Sequence, residues 1–242
     1  MTRRRWIADT WTASTASLTG EQATHLARVL RAEVGQVFDV VAGGYLHRAE
    51  IRSVAEDEVV FTLHEELSAD AALPLTLLLS VFKFDRMEWA IEKATELGVA
   101  RVVPLLARRT EKHLALAAEK RVERWRRIAR EATQQSRRSD VPEIASPMKL
   151  QDALVAFDGA TRKLLLAETE RENSLARALE NRNSADAPQD VALAIGPEGG
   201  WTQEEMELFT RRGWQHVTLG PRILRAETAA IAAVAIAAAL FG

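Results

Sequence analysis

Two hydrophobic periodicities divide this chain. Up to about residue 70 the apolar positions fall in short runs with rough period-two alternation, over Gln36 to Val41, Tyr45 to Val54 and Glu58 to His64. Such alternation predicts half-buried strands, and Ala42-Gly43-Gly44 predicts a tight turn between the first two. One helix is expected before them, opened by Gly20-Glu21 and carrying His25, Leu26, Val29 and Leu30. The expected result is a small β-barrel or sandwich. Ser68 to Pro74 reads as a linker, since the pattern changes character beyond it.

From Leu75 onward, continuous apolar runs alternate with helix-period stretches. Strands are expected at Leu75 to Phe82, Ala100 to Leu106, Lys163 to Ala167, Val191 to Ile195 and Gln215 to Leu219. Helices are expected at Arg86 to Leu97, Ala117 to Arg137, Lys149 to Phe157, Ser174 to Asn181, Thr202 to Arg212 and Thr228 to Phe241, with Arg182 to Gln189 a polar loop. This order predicts an α/β fold with a mainly parallel sheet covered on both faces. The last helix is mostly alanine, so it stabilises a fold only if other backbone approaches it on more than one side.

Projected at 100° per residue, the long helix puts Val122, Trp125, Ala129 and Ala132 on one face and Arg127, Arg130, Gln134 and Arg138 opposite. Glu123 is placed to offset Arg127 at i,i+4. Charge sharpens this picture. The chain carries a net charge of -2, yet Arg108 to Arg138 holds 11 Lys or Arg against 4 Asp or Glu. That patch suits a phosphate-bearing partner or, alternatively, is a solvated helix face.

Absences narrow the chemistry. There is no cysteine, which excludes disulfides, thiolate zinc sites and cysteine nucleophiles and agrees with a reducing cytoplasm. Phosphate-loop, dinucleotide, nucleophile-elbow and His-Glu-x-x-His motifs are missing, and the five histidines lack ligand spacing, so no metal is expected. No stretch reaches the ~20 apolar residues of a membrane span.

What remains is a site built from turns at strand ends. Val191 to Ile195 runs into Gly196-Pro197-Glu198-Gly199-Gly200, after which Thr202, Glu204 and Glu205 look like a helix N-terminus. A second turn, Leu219 to Arg225, follows another strand, and Leu166-Ala167-Glu168 closes a third. In open α/β sheets ligands bind at this end of the strands. Backbone groups of three loops can hydrogen-bond an adenine edge between the apolar walls of Leu166, Ile195, Leu219 and Leu224.

Five spaced strings carry a resemblance: Asp85-Arg86-Met87-Glu88-Trp89 with Lys93 to Gly98, Arg109 to Lys112, Glu131 to Pro142, Gly196 to Gly200, and Leu219 to Thr228. Together they resemble the small-subunit methyltransferase E family, which belongs to the SPOUT superfamily and methylates N3 of a uridine in 16S ribosomal RNA. The resemblance implies a PUA-like β-barrel over residues 1–70 and a SPOUT methyltransferase domain with a C-terminal trefoil knot over residues 74–242. It also implies S-adenosylmethionine as methyl donor, the small ribosomal subunit as partner, a cytoplasmic location, and a homodimer whose contact covers one side of the last helix. Carried over by position, Leu166, Ala167, Glu168, Ile195, Gly196, Gly199, Gly200, Leu219, Gly220, Ile223 and Leu224 bind the cofactor. From the basic patch, Arg109, Lys112, Arg127, Arg130, Arg137 and Arg138 are the residues expected to bind RNA. Phe84 departs from an expected glycine, Thr110 from a serine and Trp201 from a smaller aromatic; Phe84 and Trp201 are expected outside the cofactor turns.

Methylating uridine N3 requires that its proton be lost or shared, so the site has to favour the anion. Arg225 is the candidate cation; its structural alternative is a salt bridge to Glu198 or Glu227. Glu198 is the nearest candidate general base, with cofactor-binding and structural roles also open. Two other functions stay open, a non-catalytic RNA-binding or ribosome-assembly protein and a small-molecule nucleotide enzyme.

Overall fold

Alternation in the first part of the chain folds as β1 (Trp6–Ile7), β2 (Thr10–Trp11), β3 (Thr15–Thr19), β4 (Val37–Ala42), β5 (Tyr45–Val54) and β6 (Glu58–Leu67). The computed structural model describes residues 5–69, 71–159, 162–180 and 190–241. These six strands form one sheet in the order β1-β4-β5-β6-β3-β2, antiparallel except for β1 on β4. Gly43 and Gly44 sit at φ 62° and 89°, the left-handed backbone that a two-residue hairpin between β4 and β5 needs. Register shifts between β5 and β6 sharpen the twist around a core of Trp6, Leu18, Leu26, Ile51 and Phe61.

The helix expected in this region is short. α1 (Gly20–Thr24) widens into a π-helical turn over His25–Val29, where the Leu30 amide bonds to the His25 carbonyl at 3.1 Å. The wider turn buries Leu26 but rotates Val29 and Leu30 outward, to 64% and 51% exposure, so the four residues share no face.

The chain divides into two compact units. One comprises the residues through Ala71 together with Thr133–Val141; the other comprises Ala72–Ala132 and Pro142 onward.

In the second unit β7 (Leu73–Ser80), β8 (Val99–Leu106), β9 (Glu143–Ile144), β10 (Met148–Lys149), β11 (Arg162–Leu166), β12 (Val191–Ile195) and β13 (Gln215–Val217) form an all-parallel sheet. Its order is β10-β8-β7-β12-β11-β13, with β9 beside β8. Side-chain alternation sends Leu75, Leu77, Leu79 and Leu193 to one face and Leu78, Ala192 and Ala194 to the other. The first face is covered by α2 (Phe84–Glu96), α6 (Leu175–Glu180) and α8 (Ala226–Phe241), the second by α5 (Leu150–Ala156) and α7 (Gln203–Arg211). Gly98, at φ 104°, lets the chain leave α2 for β8. The end expected for the helix after β11, Asn181, and the loop from Arg182 to Gln189 lie outside the described residues.

One expectation about a helix needs correction. The helix expected over Ala117 to Arg137 is instead α3 (Lys112–Ala117), a 3-10 turn over Glu119–Arg121, and α4 (Val122–Ser136). The tighter turn is closed by the Arg121 amide on the Ala118 carbonyl at 2.9 Å. The alanine-rich α8 packs against several elements at once, as its small side chains require: Ala230, Ala233 and Ala237 are fully buried, and the helix lies against α2, α6, β7 and β12. Among the described residues no helix is long and apolar enough to cross a membrane.

Candidate active site

β12, β11 and β13 are consecutive neighbours in the sheet, with Leu165 beside Ala194 and Leu166 beside Val217. Their carboxyl ends therefore release three loops side by side. Those loops line a cavity of about 630 Å³. Leu166, Ala167 and Glu168 enter it from the first loop, Ile195, Gly196, Glu198, Gly199 and Gly200 from the second, and Leu219, Gly220, Ile223, Leu224 and Arg225 from the third. Every residue carried over to the cofactor, and both candidates for catalysis, thus line one space.

Local chemistry explains each loop. The second turns because the Gly200 amide bonds to the Pro197 carbonyl at 2.8 Å, with Gly200 at φ 67°. It ends at Thr202, whose hydroxyl caps α7 by accepting from the Glu205 amide while the Glu205 carboxylate accepts from the Thr202 amide at 2.8 Å. The third is shaped by Thr218, whose hydroxyl accepts from the Gly220 amide at 3.2 Å and donates to the Gly220 carbonyl at 3.1 Å. Gly220 sits at φ 115° with no atom within 4 Å of where a Cβ would stand, leaving an open cradle of backbone. Glu170 holds the first loop: one carboxylate oxygen accepts from the amides of Arg171, Glu172 and Asn173 at 2.9, 2.8 and 3.0 Å. The amides of Asn173 and Glu172 hold its carboxyl below the usual carboxylate range. This loop is joined to the strand end before the third by the Thr218 amide on the Asn173 carbonyl at 2.8 Å and the Leu175 amide on the Thr218 carbonyl at 2.9 Å.

Trp201 does not stand apart from the three turns. Its ring lines the cavity, its Nε1 donates to the Leu166 carbonyl at 3.1 Å, and it meets Phe209 edge-on with centroids 4.9 Å apart. A smaller aromatic without a ring N–H cannot make that bond between the second and first loops. Phe84 does lie away from the cavity; it packs edge-on against Trp125 and under the Arg121 guanidinium.

Arg86, quoted above only within a motif, is the cation that the candidate acids share. Its Nη1 donates to Glu198 at 2.7 Å and its Nε lies 3.7 Å from Glu227. The pairing considered for Arg225 therefore belongs to Arg86. Arg225 is exposed and forms no ion pair or side-chain hydrogen bond among the described residues.

The expected RNA-binding residues scatter. Arg109 lies in the cavity wall and donates from Nη1 to the carbonyls of Gly199 at 2.6 Å and Trp201 at 3.3 Å. Lys112 and Arg127 are exposed and Arg130 is half-buried. Arg137 is exposed at φ 62°, while Arg138 pairs with Asp140 and keeps only 9% of its side chain accessible. The outward stripe is shorter than its helical projection: Gln134 is buried because it bonds to Gln22 at 2.5 Å. Glu123 pairs with Arg126 at i,i+3, 2.5 Å away, in place of Arg127.

A parallel sheet with three strand-end loops around one cavity is here the framework of an RNA methyltransferase. Residues 69–238 match the RNA methyltransferase domain and residues 18–63 the RNA methyltransferase PUA domain. Ribosomal RNA small subunit methyltransferase E of Synechocystis is 36% identical over 92% of this chain and 72% of its own length; that of Bacillus subtilis is 32% identical over 92% and 89%. The chain belongs to the ribosomal RNA small subunit methyltransferase E family. Among solved structures, the Neisseria gonorrhoeae enzyme bound to S-adenosyl methionine is 29% identical, superimposes with a TM-score of 0.83, and is matched over 97% of this chain and 96% of its own. A Legionella pneumophila structure with bound S-adenosylmethionine gives 31%, 0.82, 99% and 98%.

Proposed function

We propose that this protein methylates N3 of a uridine in 16S ribosomal RNA with S-adenosylmethionine as donor. The observation that carries the reading is the single cavity into which all three strand-end loops converge. Its residues fit the cofactor. Leu166, Ile195, Leu219 and Leu224 offer apolar walls, and the open backbone around Gly220 leaves room for a ligand to approach. Bound cofactor supplies an electrophilic methyl group.

The chain supplies the rest. Arg225 places an unpaired guanidinium at the cavity, where it stabilises the negative charge that N3 and its flanking carbonyls develop. Glu198, held by Arg86, serves to position the second loop. The exposed Arg127 and Lys112 remain candidates for RNA phosphates, and residues 1–70 for a second RNA-binding surface. The reading includes a homodimer, which the family resemblance implies, and a trefoil knot. Supporting the knot, the chain leaves edge strand β13 and returns as α8 to lie against β7, three strands away.

Mass spectrometry of 16S ribosomal RNA from cells with and without the protein tests this. Loss of one N3-methyluridine on deletion, restored by the wild-type chain, is expected. An unchanged modification profile would remove the reading.

A further inference from the structure

We infer that Arg171 and Arg222 form a phosphate-binding rim at the mouth of the cavity, and that the RNA backbone on either side of the target nucleotide rests on it. This rests on the proposed function and specifies where its substrate lies.

Charge at the cavity carries the inference. Five arginines line it, Arg86, Arg109, Arg171, Arg222 and Arg225, against the carboxylates of Glu168 and Glu198. Two of the five are committed inside the protein, Arg86 to Glu198 and Arg109 to two backbone carbonyls. Arg171, Arg222 and Arg225 are exposed, and none of their guanidiniums is in an ion pair or hydrogen bond among the described residues. The acid next to Arg171 does not neutralise it, because one oxygen of Glu170 is taken by three backbone amides and the other faces the Asn173 side chain.

Such a rim is wrong for the cofactor alone. S-adenosylmethionine carries a sulfonium, an ammonium and one carboxylate, so it is itself a net cation. Uncompensated arginines around a cationic ligand are repulsive unless an anion occupies the mouth with it. Nucleic-acid phosphates are that anion, and the planar guanidinium fork matches them.

The rim is also held in place. Arg171 is on the first loop and Arg222 on the third, and the far end of the first loop is joined to Thr218, just before the third, by the Thr218 and Leu175 amide bonds. The two cations therefore border the site that receives the acceptor base.

The test is the double variant Arg171→Gln/Arg222→Gln, at two exposed positions where substitution leaves the fold intact. The probe is a uridine-containing fragment of 16S ribosomal RNA. RNA affinity should fall about tenfold or more at moderate salt. The slope of log affinity against log salt should shrink by about 1.4, at roughly 0.7 per phosphate on a single strand. The loss should appear in KM for RNA and be largely recovered at saturating RNA, with cofactor affinity by calorimetry unchanged. Unaltered RNA affinity and slope would overturn the rim. So would a deficit confined to cofactor affinity, which would assign the arginines to the cofactor's carboxylate. If the double variant loses that salt slope while the wild-type protein transfers no methyl group to the fragment, the methyltransferase reading fails and the rim stands.

Discussion

Arg86 and Glu198 lie 112 positions apart in sequence, and their side chains meet at 2.7 Å. The same guanidinium faces Glu227 at 3.7 Å, in the first turn of α8, where the carboxylate is 6% exposed and its Oε2 is buried without a hydrogen-bond partner among the described residues. One cation thus ties the second loop to the starts of α2 and α8. Removing it strands a buried carboxylate, and this costs more than the pair contributes.

Arg86→Met should therefore destabilise the protein by about 2 kcal/mol, a figure reduced for the partial exposure of Arg86. Glu227→Gln in the same background should recover part of the loss, which urea unfolding in a double-mutant cycle would register as coupling. Glu198→Gln keeps a hydrogen-bond acceptor for Arg86, so transfer should fall less than tenfold. A loss of a thousandfold would restore Glu198 as the general base.

The second loop gives another prediction. A Cβ at Gly199 would stand 3.3 Å from Arg109 Cδ, so Gly199→Val pushes against the side chain that clamps the loop. Gly220→Val meets open space but is strained at φ 115°. Both should weaken S-adenosylmethionine binding, through different causes. Arg109→Ala should rescue Gly199→Val in part and leave Gly220→Val untouched, and calorimetry on the four proteins separates the two. Equal rescue of both, or of neither, would contradict the assignment.

These cases show where the sequence was legible. The strand at Val191 to Ile195 and the Thr202 cap are local patterns, because a strand needs only its own apolar run and the capping box spans the four residues Thr202 to Glu205. The three strand-end turns that line the cavity were legible for the same reason, each being a glycine or strand-end signal. Arg86 was not, since nothing near it in sequence marks a partner 112 residues away. Gln134 misled the helical projection because its burial depends on Gln22, again a distant residue. The Trp201 bond to Leu166 was illegible as well: it exists only because β11 and β12 are neighbours in the sheet.

Glu170 gives a pH dependence with a definite sign. Its folded carboxyl is held below its ordinary range by the amides of Asn173 and Glu172, so the deprotonated form is favoured in the folded loop. The stabilisation is fully present above the unfolded value and is lost as pH falls through the folded one. Hydrogen exchange at the amides of Arg171, Glu172 and Asn173 should show protection at neutral pH that disappears in acid. Glu170→Gln should lack much of that protection already at neutral pH. Equal protection in the variant would show that the loop is held by other contacts.

Arg225 separates binding from chemistry. It follows Leu224 in the cavity wall, its carbonyl begins α8 by accepting from the Ala229 amide at 2.8 Å, and its side chain is exposed at the cavity, while Glu198 and Glu227 face Arg86. A guanidinium so placed is available to a developing uridine anion. Arg225→Ala should then cost on the order of a hundredfold or more in the transfer step, the scale seen when one such donor is removed. Arg225→Lys should recover only part, because a point charge does not reproduce two aligned donors. Cofactor affinity should change little, since backbone groups and apolar walls form that part of the cavity. Raising the pH should partly restore the alanine variant, as solvent then takes over removal of the N3 proton. Single-turnover methylation across a pH series, with both substrates saturating, measures this directly. A wild-type transfer rate in the alanine variant, or a deficit lying wholly in cofactor affinity, would take Arg225 out of the chemistry and leave the rim arginines as the nearest cations to the acceptor.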